Sequence, residues 1–505
     1  MTLSLDQLRR DAKRLHRAFE AGDPGAVQRL AQHPPRKPTP FSHADFLHVI
    51  AQENGFASWP RLKLAAETIG LDRAAKQQRL KVALAHGQNW VVEHLLADTP
   101  DLAEGVLGLQ IALYDRAAVE AALARDPKAA VTPLGPRPPI CHLAFSRWIH
   151  ARPELKPDML AIAEALVAHG ADVNAGQSLP GTDHQLSALY GAIGHADNMV
   201  LGRWLLEHGA DPNDGEALYH ATELGHHDGL RMLLEHGADP KGTNALYRAM
   251  DFHDVTAVKL LLDHGARVED YNAAEVGGET PWVIPALFQA ARRGSPPEMI
   301  RLLLDHGADP EGRYKGASAY ACARVYGNPD LAAELEARGV DTTLTEVEQH
   351  LANAADGKAT PGALTGVAIS EPFDNLMREI LHLPGRLPQV RQLVALGLNP
   401  DKPDREGLIP VQIAGWEGLP EMIGFFLAKG PDLQHINSYG GTLVSTILHG
   451  SENCPEREKR DHAACLTLAL EAGALLTRQD IAFSGRADLA ELLADWAVLH
   501  PEQVA

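Results

Sequence analysis

Several things are scarce in these 505 residues, and each scarcity excludes a class of protein. Cysteine occurs four times, at Cys141, Cys322, Cys454 and Cys465, too sparsely for a disulfide framework, which fits a reducing compartment. Aromatic residues make up only 5% of the chain, which suits helices packed through small side chains better than a β-sandwich. No apolar run approaches the ~18 residues that a membrane-spanning helix needs. The first twenty residues alternate charge with apolar side chains and hold no signal-peptide core. The expectation is a cytoplasmic protein, with export by a leaderless route as the alternative. Positive charge is also short, with 46 Lys and Arg against 66 Asp and Glu and a formal net charge of -20. Such a surface repels phosphate backbones, so nucleic acid and anionic membrane are poor partners, whereas a basic protein is steered in. The same charge keeps a long soluble chain in solution. Missing too are a G-x-x-x-x-G-K-[ST] loop, a G-x-G-x-x-G turn after a strand and a G-x-S-x-G elbow. What is present is a hydrophobic fraction of 45%, enough to bury a large core and to exclude wholesale disorder.

A phrase recurs through the chain. It reads LVAHGADVN at Leu166 to Asn174, LLEHGADPN at Leu205 to Asn213 and LLEHGADPK at Leu233 to Lys241. LLDHGARVE follows at Leu261 to Glu269 and LLDHGADPE at Leu303 to Glu311, with weaker copies from Leu335, Leu393, Phe426 and Leu470. Ahead of it lie apolar residues at helical spacing, such as Met299, Ile300, Leu303 and Leu304, which paint one face of a helix. Gly170, Gly209, Gly237, Gly265 and Gly307 stand where the helix must end in a left-handed residue. Pro212, Pro240 and Pro310 then keep it from resuming. A second phrase, ALYGA at Ala188, ALYHA at Ala217, ALYRA at Ala245 and ALFQA at Ala286, marks a shorter preceding helix, often ended by Gly225, Gly294 or Gly327. Each unit is then helix, turn, helix, turn, too small to bury its apolar face alone, so stacked neighbours supply the core.

These units resemble ankyrin repeats, whose pattern runs from T-P-L-H-x-A to a second helix ending in H-G-A-D. The fullest match is Gly407 to Gly430, where Ile409-Pro410-Val411-Gln412-Ile413-Ala414 takes the place of T-P-L-H-x-A, and the resemblance covers residues 75 to 480. It implies an all-α fold: an ankyrin-repeat helical solenoid with irregular, short-finger repeats and an N-terminal helical cap. The departures from the pattern are specific. Gly209 to Gly237 and Gly237 to Gly265 each span 28 residues against the ~33 of the family, so these copies should have stunted fingers. Gly265 to Gly307 spans 42, which adds a loop at Val268 to Ile284. The pattern breaks between Thr342 and Pro400, where Ala352 to Pro361 reads as a flexible joint, and a long insertion at His449 to Asp461 separates two helices. The expected organisation is a helical leader at 1–72, an array at 73–345, a degenerate joint at 346–400, and terminal repeats with a cap at 401–505. Within the leader, Ser42 and Asp45 suit a capping box, and GFASWPRLK resembles a segment found ahead of bacterial ankyrin arrays.

Functional residues follow from the same layout. His169, His208, His236, His264 and His306 recur one residue before the glycine, where a ring N–H can bond a free helix carbonyl. Packed helices lie 8–10 Å apart, so this column cannot converge on one metal ion. Tyr190, Tyr219, Tyr247 and Phe288 share one slot and read as inter-repeat packing, with Tyr320 displaced by one register. His449, Cys454, His462 and Cys465 match no familiar zinc spacing, and His226-His227 near His220 and Glu223 lacks the H-E-x-x-H order. No catalytic, cofactor or metal residues are therefore expected. The two positions before the short-helix glycine face the concave groove in ankyrin arrays. Here they read Glu223-Leu224, Asp251-Phe252, Arg292-Arg293, Val325-Tyr326 and Trp416-Glu417. Trp, Tyr, Phe and Arg are interface anchors, and Trp416 and Tyr326 are the preferred ones. The expected function is that of a monomeric module binding a protein, in an inhibitor, scaffold or effector role. The alternative is an enzyme with a dispersed site under the 268–284 loop or in the 449–465 insertion.

Overall fold

In a computed structural model of the chain, described over residues 5–34, 41, 43–178, 184–269, 284–454, 456–483 and 486–504, helices dominate and strands are few and short. Ser42 and nearly all of the 268–284 loop lie outside the described residues. The described residues fall into two compact units, one ending at Asp239 and one starting at Pro240.

The first unit opens with helices Leu5–Glu20, Pro24–Gln32, His43–Glu53 and Trp59–Thr68, the first and third packed side by side. Helix pairs follow: Arg73–His86 with Asn89–Asp98, Leu107–Ala112 with Arg116–Arg125, and Pro139–Ala144 with Lys156–Ala168. The last two long helices of the unit are Met199–Glu207 and Asp228–Glu235. The second unit continues the theme from Ala245–Asp251 with Val255–Asp263 to Arg478–Phe483 with Ala487–Leu499.

The recurring phrases explain why these elements form. In A-L-Y-x-A, both alanines are fully buried in every copy: Ala188 and Ala192, Ala217 and Ala221, Ala245 and Ala249, Ala286 and Ala290. A methyl at i and i+4 lets neighbouring short helices close up on one another. In the H-G-A-D phrase each residue has a backbone task. The Nδ1 atoms of His169, His208, His236, His264 and His306 lie 2.7–2.8 Å from the carbonyl oxygen four residues back. A carbonyl only accepts, so each ring presents its Nδ1–H and satisfies an orphan of the last turn. The following glycines take φ between +89° and +100°. The alanine after each then closes the bond that ends the helix, as Ala210 N–H does onto the Leu205 carbonyl at 2.9 Å and Ala308 onto Leu303 at 3.0 Å.

One letter of the phrase ties repeats together. Asn174 Oδ1 accepts from the Asp211 N–H at 2.8 Å, and Asn213 Oδ1 accepts from the Asp239 N–H at 2.7 Å. At 241 and 269 the slot holds lysine and glutamate instead of asparagine. Replacing Asn213 by alanine is expected to cost about 0.5–1 kcal/mol, because the bond is solvent-exposed. Urea unfolding of the variant measures it, and an unchanged midpoint would mean the ladder is ornamental.

Finger length follows repeat length. Gly176–Ser178 pairs with Gln185–Ser187, and Arg313–Tyr314 with Ala317–Ser318, as antiparallel hairpins. The two 28-residue repeats have no strand among their described residues, as the spacing predicts. Elsewhere the sequence misleads. Ala352–Ala355 is not a joint but the last turn of helix Glu346–Ala355, which starts in a capping box of Thr345 and Glu348 and packs on Ala319–Tyr326. Its partner helix is Leu387–Leu396, so residues 356–386 are an insertion inside one repeat. The supposed insertion at 449 begins too early as well, since His449–Asn453 completes helix Leu443–Asn453. Both misreadings have one cause: these short helices lack the A-L-Y signature.

Candidate protein-binding face

In the first unit, Glu223 and Leu224 are half-buried at the end of helix Ala217–Ala221. Glu223 belongs to a polar cluster with His220, Glu216 and His184, the last two of which the sequence did not single out. His220 Nδ1 lies 2.7 Å from Glu223 Oε2, and its Nε2 lies 3.1 Å from Glu216 Oε2. Glu216 is fully buried and also meets His184, and the Tyr190 ring sits 4.7 Å from that of His220. Burial opposes a charge on His220, but the two carboxylates outweigh it and raise its pKa to about 9. A folded pKa above the unfolded value of ~6.5 gives stability that is complete below pH ~6.5 and is lost as pH rises through about 9. The expected size is on the order of 2–3 kcal/mol. Thermal midpoints at pH 6 and 9.5 should fall further for the wild type than for His220→Gln; parallel profiles would remove His220 from the account.

In the second unit, Arg293 grips Asp251 with two bonds, Nε to Oδ1 at 2.7 Å and Nη2 to Oδ2 at 3.0 Å, and Gln289 adds a third at 2.6 Å. Phe252 is 45% exposed, with the Arg248 guanidinium 4.9 Å from its ring centre. Trp416 and Glu417 are half-buried. The Trp416 carbonyl accepts from His462 Nε2 at 2.9 Å, and Glu417 meets Arg460 at 3.9 Å and the Cys454 thiol at 3.7 Å. Burial raises the pKa of Glu417, and Arg460 pulls against it. The thiol of Cys454 is likewise pushed up, to about 11, first by burial and then by Glu417. His462 and Cys454 thus serve different partners, and among the described residues no three His, Cys, Asp or Glu are grouped to hold a metal.

Three of the expected contact residues are corrected. Val325 is fully buried, Tyr326 is 4% exposed and Arg292 is 7% exposed, so none presents a free anchor. The reason is the insertion at 356–386, which lies over the ends of these short helices. The Tyr326 hydroxyl has the Pro372 carbonyl at 3.0 Å and the Glu379 carboxylate as acceptors, and its ring packs on Phe373 at 6.1 Å. Burial, and then the Glu379 charge, hold the tyrosine pKa well above normal. Arg292 lies 3.9 Å from Glu379, Lys315 lies 2.6 Å from Glu371, and Gln389 donates to the Val325 carbonyl at 2.9 Å. His382 of the insertion sits 3.3 Å from Arg293 Nη1. Burial, together with Arg293, Arg378, Arg292 and Arg460, pushes it down to about 3, so it is neutral and accepts that bond.

Helix pairs ended by H-G-A-D, alanine-lined short helices and hairpin fingers are now all in place. A family model described as "Ankyrin repeats (3 copies)" matches residues 155–244 and 196–274. Residues 155–274 carry ankyrin repeats. Comparison with curated proteins gave no match. Among solved structures, an ankyrin repeat domain from Acinetobacter baumannii AYE is similar at 24% identity, covering 40% of this chain and 98% of that one, with a TM-score of 0.31. The array is mostly helical, and among its described residues no helix is long and apolar enough to cross a membrane.

Proposed function

We propose that this ankyrin-repeat chain is a protein-binding module that grips its partner along the face formed by the ends of its short helices. Ankyrin repeats generally mediate protein–protein contact, and the rigid stack limits the ordering cost of binding. The observation that supports this face is Phe252, a large aromatic left 45% exposed with Arg248 packed against it. Aromatic and arginine side chains are the residue types that dominate binding energy, and here they stand together at one of the expected contact positions. Trp416, half-buried in the corresponding pair of positions further along, is the second anchor. At the level of encounter, the net charge of -20 favours a basic partner. The role we propose is that of an inhibitor, scaffold or effector acting as a monomer in the cytoplasm.

The test is capture of prey from lysate with the full chain and with Phe252→Ala and Trp416→Ala. Each substitution is expected to weaken retention of the same prey by about tenfold or more, at unchanged helix content. Undiminished capture by both folded variants would move the binding surface elsewhere.

A further inference from the structure

Part of the short-helix face of the second unit, at Arg292, Val325 and Tyr326, is already covered by the chain itself. The insertion between helices Glu346–Ala355 and Leu387–Leu396 crosses from the hairpin finger at Arg313–Ser318 to the end of Ala319–Tyr326 and on to Ala286–Arg293. Its contacts there are those of a ligand. Glu371 pairs with Lys315 on the finger, at 2.6 Å. Phe373 is fully buried beside Tyr326. Glu379 takes Tyr326 and Arg292 together. Two carboxylates flank an aromatic ring, and the receiving surface supplies a lysine, an arginine and a phenol hydroxyl. A cleft of about 180 Å³, lined by Arg292, Tyr314, Lys315, Tyr326, Glu371 and Glu379, remains open alongside.

We infer that the Glu371–Glu379 segment is a built-in stand-in for the partner of this face, which is therefore an acidic segment carrying an aromatic side chain, and that the insertion must give way for it to bind. The inference rests on the protein-binding reading above and sharpens it. Long-range charge favours basic surfaces, whereas the local donors select a carboxylate–aromatic pattern. Binding is then gated: affinity for an external segment is reduced by the fraction of molecules whose insertion is displaced. The ion pairs are the weaker part of the seat, since Lys315 is partly and Glu371 mostly exposed, at 39% and 70% of their side-chain surface. The anchored part is Phe373 with Leu376 and Ile380, all buried.

A fluorescently labelled peptide of the sequence ISEPFDNLMREIL, residues 369–381, is the probe. Its binding to the full chain is measured by anisotropy, for the wild type and for the Glu371→Gln, Glu379→Gln double variant. The variant keeps the receiving surface and weakens only the internal competitor, so the peptide should bind it about tenfold more tightly or better. A peptide with both glutamates changed to glutamine should lose that gain. Equal affinity for the two proteins, or equal affinity of the two peptides, overturns the inference. A second measurement needs no variant: excess peptide added to the wild type should speed amide exchange across 371–381. Unchanged protection there at saturating peptide makes the segment a permanent part of the core and overturns the inference as well. Neither measurement involves Phe252 or captured prey, so this inference and the protein-binding reading fail separately.

Discussion

Replacing Tyr326 by alanine is expected to destabilise the second unit by about 3–5 kcal/mol, the range for deleting a fully packed aromatic ring. The side chain is 4% exposed, its ring rests on Phe373, and its hydroxyl reaches Glu379 and the Pro372 carbonyl. Removing it opens a cavity and strips the half-buried Glu379 carboxylate of its hydroxyl donor, so two costs act in the same direction. Tyr326→Phe separates them, since it keeps the ring and loses only the bonds, at about 1–2 kcal/mol. Urea titration followed by circular dichroism reads both. A loss below about 1 kcal/mol for the alanine variant would show that the insertion is loosely seated. The result also bears on binding experiments: loss of prey from a Tyr326→Ala protein would report unfolding rather than a missing contact.

The second large effect is expected at Gly450. A helix-interior glycine is ordinarily a liability, worth about 1 kcal/mol less than alanine. Here the sign reverses. A Cβ on Gly450 would lie 2.1 Å from the Trp416 carbonyl oxygen and 2.6 Å from its carbonyl carbon and Cα, all backbone atoms that cannot swing aside. A Cβ on Gly415 would likewise lie 2.6 Å from the Ile447 side chain, so helices Pro410–Trp416 and Leu443–Asn453 approach closely at both glycines. Alanine at 450 must push the helices apart and disturb the bond from His462 to the same carbonyl, so Gly450→Ala is expected to cost about 3 kcal/mol or more. Differential scanning calorimetry should show a lowered transition. A gain in stability, as propensity alone dictates, would mean the close approach is not real.

These two sites differ in how far the sequence announces them. The repeat phrase is legible because each of its letters acts on its own backbone: histidine on the carbonyl four back, glycine at positive φ, alanine closing the turn. Local chemistry leaves a local signature. Asn213 acts across repeats, yet shows in part, because Asn174 holds the same slot one copy before it. Tyr326 does not. Its partners are 46 and 53 residues away in a stretch with no periodicity, and nothing in either segment reveals that they meet. The sequence marks Tyr326 as an exposed anchor, whereas the structure buries it. The His184–Glu216–His220 cluster was hidden for another reason: Glu216 and His220 sit four apart at the start of one short helix, but His184 comes from a hairpin end far back in the chain. The break expected near residue 355 arose because the eye follows A-L-Y, whereas helix Glu346–Ala355 is specified by its capping box and by Leu351, Ala352 and Ala354 in the core.

The position of the 356–386 insertion within its repeat has a consequence for how such a protein can change. Loop closure grows only logarithmically with length, so lengthening the connection between two helices already held by their neighbours adds about 0.6 kcal/mol per doubling. A loop at that junction is free to vary without disturbing the stacking on either side, because the stacking is carried by the buried alanines and leucines of the helices and not by the connection. Exchange of a single loop would thus hand the array a different internal tenant and, with it, a different threshold for admitting a visitor. On this view the repeats are the constant part of a lock, and the wards are carried on one replaceable strip of chain.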